Sequence, residues 1–195
     1  MKNTTAAFEH LYHSISADNF LRMKSLGGEI PFFIFPFEAT DQVVVDKATK
    51  GLINKLNNNG VSVLEINLYD LALQIINEAL QDNEEIFELE KSMSKQEFKE
   101  AIQSLLDINE VLMPRIKGLI NASDKKVYFL TGIGLVFPFI RSHNVLNNLQ
   151  NIAKRAPTVT FFPGKYNGYS LELFGLLKDD NYYRAFNMEN YNYSA

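Results

Sequence analysis

The groups whose types and spacing could do chemistry are few: three histidines, two glycine-bearing turns and one acid pair. His143 stands in Arg141-Ser142-His143-Asn144 at a helix start, where Ser142 reads as the N-cap and Arg141 is left to bind an anion. Adjacent Ser and His do not make a hydrolase, because nucleophile, base and orienting acid must converge, and no G-x-S-x-G elbow is present. His10 and His13 lie i, i+3 on a helix beside Glu9, so a two-histidine metal site and a solvated helix face are both open readings. Gly132 and Gly134 sit between a strand and a helix as a dinucleotide fingerprint would. Phe137 occupies the third glycine position and obstructs the close helix packing that glycine permits. Pro163-Gly164-Lys165 resembles part of a phosphate cradle, although a strand-end turn accounts for it and no G-x-x-x-x-G-K-[ST] string exists. Asp179 and Asp180 with Arg184 suit a local ion-pair and helix-cap arrangement, or, with Tyr182 and Tyr183, a partner contact. No other clustered carboxylates in the sequence support Mg²⁺.

These residues need a scaffold, and the composition supplies one. A chain of 195 residues with 46% hydrophobic content fills one core, and the absence of cysteine excludes disulfides and thiolate metal sites. The start, MKNTTAAFEH, has no apolar h-region, and no run reaches the roughly 18 residues of a membrane helix, so a cytoplasmic location is expected. The net charge of −4 is uneven: residues 81–110 carry nine acids and three lysines, and residues 111–195 carry ten bases and five acids. No lysine or arginine run accompanies that basic half, which gives little basis for direct nucleic-acid binding.

Periodicity places the elements. Phe8, Leu11, Tyr12 and Ile15 form one helical stripe, and Asp18 to Met23 a second short helix stopped by Gly27-Gly28. Residues 30–37, IPFFIFPF, read as a strand covered on both faces with Pro31 and Pro36 at its ends. A helix over 41–57 follows, capped by Asp41 and buried through Val44, Val45, Ala48, Leu52, Ile53 and Leu56. Val61 to Ile66 is a second strand, with Glu65 outward, and Asp70 is expected to cap the next helix. Ser94 to Glu97 is a capping box opening a long helix that Pro114 should kink or divide. Val127 to Leu130 is the third strand. A helix over 142–154 carries Asn147, Asn148, Gln150 and Asn151, amides that lower helix propensity and offer a hydrogen-bonding face. Val159 to Phe162 is the fourth strand, broken by Pro163-Gly164 and followed by a turn at Gly168 and a last helix.

Strands alternating with helices predict an α/β fold: a single three-layer domain with a mostly parallel central sheet of about four to five strands and helices on both faces. The expected division is a helical segment at 1–28, an α/β core at 29–186 and a tail at 187–195. Strand C-termini in such a sheet share one edge, so loops 36–41, 66–70, 131–138 and 163–169 should converge there and form a ligand or partner surface.

The strings PFIRSHNVLNNLQ (138–150) and FFPGKYNGYSLELFGLLKDDNYYRAF (161–186), with LGGEIPFFIFP near the start, resemble the BrxB family of the BREX bacteriophage-exclusion systems. The resemblance implies a defence protein working beside a PglZ-type phosphatase-like protein, a PglX-type DNA methyltransferase and a large ATPase. It implies no catalytic activity and no catalytic residues to carry over. The expectation is therefore a non-catalytic adaptor without cofactor or metal, binding a PglZ-type partner through Arg141, His143, Asn147, Asn148, Gly164, Lys165, Tyr166, Asp179, Asp180, Tyr182, Tyr183 and Arg184. The alternative is a degenerate P-loop-like nucleotide-binding domain, suggested by Gly132, Gly134 and Gly164 at strand ends.

Overall fold

Two prolines and a run of aromatics set the centre of the sheet. In the computed structural model, which describes residues 4–23, 31–80, 83–178 and 183–191, β1 (Phe32–Phe37) is buried along its whole length. Its side chains alternate: Phe32 and Ile34 enter one apolar cluster, Phe33, Phe35 and Phe37 the other. Pro36 lies inside the strand rather than at its end. Ile34 offers its carbonyl to Met188, so Pro36, two residues on, turns its missing N–H toward the same side, beyond the two-residue strand that pairs there.

The remaining elements wrap this strand. Helices α1 (Thr4–Ser16) and α2 (Asp18–Leu21) precede β1, and α3 (Gln42–Asn58) carries the chain to β2 (Val63–Asn67). Then come α4 (Leu68–Ala79), α5 (Asn83–Ser92), α6 (Lys95–Leu105), a π-helical turn (Ile108–Leu112) and α7 (Met113–Asn121). Strand β3 (Val127–Thr131), α8 (Ser142–Ile152) and β4 (Thr158–Tyr166) follow, and β5 (Leu171–Leu173), β6 (Leu177–Lys178) and β7 (Phe186–Asn187) close the sheet. The order is β2-β3-β4-β1-β7, parallel at every step, with β5 and β6 added antiparallel to the extended end of β4. Buried residues of α1 and α3 pack on one face, and those of α4, α6, α7 and α8 on the other. The architecture is the expected α/β sandwich.

Local chemistry explains the boundaries, including those that differ from expectation. Asn67, not Asp70, caps α4: its Oδ1 accepts from the N–H groups of Tyr69 (3.0 Å) and Asp70 (3.3 Å), so strand passes to helix with no loop. The Ser94–Glu97 capping box forms as written. The long helix is divided before Pro114, where Asp107 caps the π-helical turn, and Pro114 then starts α7 at a position that needs no N–H. In α3, Asp41 occupies the cap position but its side chain accepts no capping hydrogen bond from the first turn, and Val44 is 53% exposed while Thr49 is buried in its place on the stripe. Pro163-Gly164 does not break β4, which continues to Tyr166. A Cβ on Gly164 would collide with the Glu172 carbonyl oxygen of β5, so glycine here permits strand pairing rather than a turn. The described residues after β4 form β5, β6 and β7 instead of a last helix. Residues 187–191, assigned to a tail, belong to the core: Met188 is fully buried, and Tyr191 packs edge-on to Phe20 and Phe33. The expected Gly27-Gly28 helix stop lies outside the described residues.

Candidate functional site

The strand C-termini do meet along one edge. Gly132, with φ of +70°, lies so close to Asn67 that a Cβ would strike its Oδ1, which joins the end of β3 to the cap of α4. The end of β1 and the extension of β4 enclose a groove of about 450 Å³ lined by Phe37, Glu38, Gly164, Lys165, Tyr166 and Glu189. This is the point in the sheet where β1 sends its helix to one face and β3 sends α8 to the other, the usual place for a crevice in an open α/β sheet. Here the extension of β4, paired with β5, forms one wall of it. Glycines 132 and 164 are thus accounted for by contacts within the chain.

Arg141 and His143 come together, but with partners that spacing alone did not indicate. Arg141 holds the N-cap position of α8 without a side-chain bond, and Ser142, expected as the cap, is the first helical residue. These three residues with Phe137, Leu177 and Lys178 line a small recess of about 80 Å³. The Arg141 guanidinium lies over the Phe137 ring at 5.7 Å from its centroid. On the other side of Arg141, a polar groove of about 340 Å³ includes Asp107, Asn109, Asn144 and Asn148. Asn148 donates to the Asn144 carbonyl oxygen at 2.8 Å, within its own helix, and Asn147 is exposed.

The tyrosines divide differently from expectation. Tyr166 is buried, accepts a hydrogen bond from the Ala185 N–H at 3.0 Å, and shares its proton between the carbonyls of Tyr183 (3.0 Å) and Ala185 (2.8 Å). It fastens residues 183–185 beside β4 and so feeds β7 into the sheet. Tyr183, expected at the surface, is 2% exposed, and burial pushes its phenol well above the usual tyrosine range. Its hydroxyl has no partner within hydrogen-bond distance among the described residues, although the Gln150 side chain comes near enough to offset part of that rise. Arg184 is exposed, and its carbonyl accepts from Gln150. Asp179, Asp180 and Tyr182 lie outside the described residues. The histidine pair is engaged separately: His10 donates to the Met188 carbonyl oxygen at 3.1 Å, and His13 sits 3.9 Å from Glu9.

What residue-by-residue reasoning missed is apolar. Leu135, Tyr169, Leu176 and Leu177 are all exposed, Leu176 by 80%, and all sit on the turns and hairpin of the strand C-terminal edge; Tyr69 joins them from the first turn of α4. The available signal was Leu176-Leu177 directly after a glycine, in a stretch with no stripe to receive them.

Fold and edge together define a parallel α/β domain whose strand C-termini carry exposed leucines, Arg141 and Lys165 on the turns and hairpin that follow them. A family model described as "BREX protein BrxB" matches residues 64–188. The chain is 34% identical to a "BREX protein BrxB" of Bacillus cereus (strain H3081.97) over 96% of this chain and 98% of that one. It is 26% identical to another of Escherichia coli O9:H4 (strain HS), over 89% and 86% of the two chains. The chain belongs to the BrxB family of BREX proteins. No solved structure gives a significant match. Among the described residues no helix is long and apolar enough to cross a membrane.

Proposed function

We propose that this protein is a non-catalytic adaptor of a BREX phage-defence system in the cytoplasm, and that it docks a PglZ-type phosphatase-like partner through the strand C-terminal edge. The observation that carries the reading is that Leu135, Tyr169, Leu176 and Leu177, all exposed, lie with Arg141 and Lys165 on the turns and hairpin that follow the strand C-termini. Exposed leucines and aromatics collected in one region are the usual mark of an interaction surface, and flanking cations add orientation and partner choice. Family membership supplies the system, and the resemblance supplies the partner. The nucleotide-binding alternative gains nothing from the glycines, since Asn67 and Glu172 already fill the space that their missing side chains leave.

The test is light scattering after size exclusion on this protein, the PglZ-type protein of the same system, and their mixture. A species of summed mass is expected, and Leu176→Asp should remove it without altering the unfolding temperature. Two unshifted peaks with wild-type protein would rule out this partner.

A further inference from the structure

Helices α4 and α6 leave an apolar groove between them. Tyr69, Leu73 and Ile76 recur at i, i+4 and i+7 along α4, and Phe98, Ile102 and Leu106 at i, i+4 and i+8 along α6 and its cap, so each helix presents one stripe to the groove. Leu135 and Phe139, from the loop before α8, line it as well. No charged side chain lines it, and its one polar side-chain atom is the Tyr69 hydroxyl. Tyr69, Leu73 and Leu135 are exposed, while Phe98 and Phe139 are half-buried, so the groove is open to a visitor rather than sealed in the core.

Two ridges side by side leave a furrow that a third helix can fill by ordinary ridge-into-groove packing. Within this chain α5 contributes Ile86 to the wall and leaves the neighbouring Phe87 exposed. The groove encloses about 160 Å³. A dry apolar cavity of about 150 Å³ holds a benzene ring, so there is room for the end of one large side chain. The border is acidic: α5, NEEIFELEKS, holds four glutamates and one lysine, and Asp70, exposed in the first turn of α4, directly follows Tyr69. Lys91 pairs with Glu88 at 2.8 Å, and Lys95 and Lys99 line the adjoining groove with Glu90. Residues 81–110 carry nine acids and three lysines, so even with every lysine cancelling one acid, six negative charges remain on this stretch.

We infer that this groove docks a lysine- or arginine-rich amphipathic helix of a partner protein. One large apolar side chain of that helix seats between α4 and α6, and its cations are drawn to the acidic border formed by α5 and Asp70. The inference rests on the reading of the strand C-terminal edge as a partner surface, because Leu135 and Tyr69 belong to both, and it adds what the partner must present there.

Fluorescence anisotropy with three labelled peptides tests it on the isolated protein: an amphipathic leucine–lysine helix, its leucine–glutamate counterpart, and the lysine peptide with every leucine replaced by alanine. Saturable binding is expected for the first, and binding at least about tenfold weaker for the other two, which lack the cations or the anchor. Leu73→Asp and Leu135→Asp, both at exposed positions, should each weaken the leucine–lysine peptide by about tenfold with an unchanged unfolding temperature. Leu176→Asp, outside the groove, should leave that peptide bound. Equal binding of the lysine and glutamate peptides, no saturable binding of the first, or binding undiminished in both groove variants would overturn the inference. Peptide binding by a protein that forms no species with the PglZ-type protein would uphold the groove and overturn only the choice of that partner.

Discussion

The two faces of the sheet are built from different materials. On the face covered by α1 and α3, Phe161 meets Phe8, Phe35 and Phe129 at centroid distances of 6.2, 5.6 and 5.1 Å, and Phe20 meets Phe33 at 4.7 Å. The side covered by α4 to α8 is mostly aliphatic, contains the hydroxyls of Tyr166 and Tyr183, and opens at its upper edge into the grooves around Arg141. Interlocked rings leave few ways to rearrange, since core side chains pack at crystal-like density and aromatic pairs add geometric preference. The difference teaches that one face fixes the shape while the other carries the openings and polar groups that can respond to a partner.

The contrast can be broken most severely at Phe161. Phe161→Ala should cost about 3–5 kcal/mol, read by chemical denaturation, and should weaken partner binding only through loss of folded protein. Next in size, Leu176→Asp should lower affinity for the PglZ-type protein by at least about tenfold while leaving denaturation unchanged, a separation measurable by light scattering and melting on one sample. Tyr166→Phe should cost about 1–3 kcal/mol, because it strands the Ala185 amide and the neighbouring carbonyls, and amide exchange at 183–188 should rise. Tyr183→Phe should have the opposite sign, a gain of up to about 1 kcal/mol, since the hydroxyl it removes is buried and among the described residues has no closer polar neighbour than a weak approach from Gln150. The same phenol gives a pH signature. Its folded-state pKa is raised above the ordinary 10.0, so its contribution is complete below about pH 10 and is lost as pH rises further, because the unfolded chain ionises first. Tyr183→Phe should flatten that part of the alkaline decline.

Much of this was legible in sequence wherever a local signal and the final packing agreed. The aromatic run of β1, the Ser94 capping box and the convergence of strand ends follow from period, hydrogen-bonding chemistry and the geometry of parallel sheets. Failures came where a distant element decided the outcome. Pro163-Gly164 looks like a break, but the close approach of Glu172 turns the glycine into a pairing position. Asn67 looks like the end of a strand, and only the immediate start of α4 shows it to be a cap. Ser142 reads as a cap because its type suits one, while the backbone places Arg141 there. Tyr183 sits in a polar, charged stretch that suggests exposure, yet the hydroxyl of Tyr166 draws that backbone inward. The site suffered most, since its apolar members depend on which leucines the sheet leaves uncovered.

The position of β1 has a consequence for synthesis. Its neighbours are β4 and β7, so Phe32 waits for Thr158, and Phe33 for Phe186, before either edge is paired. At ordinary elongation rates that interval is on the order of ten seconds, during which FFIFPF, rich in rings and free of charge, is an open template for association with other chains. The proline near its end, which the finished sheet tolerates because β7 is short, limits how far such a template can extend. Production of this protein should therefore depend on how fast the last third of the chain is made, and slow codons placed between β3 and β4 should send it into inclusion bodies.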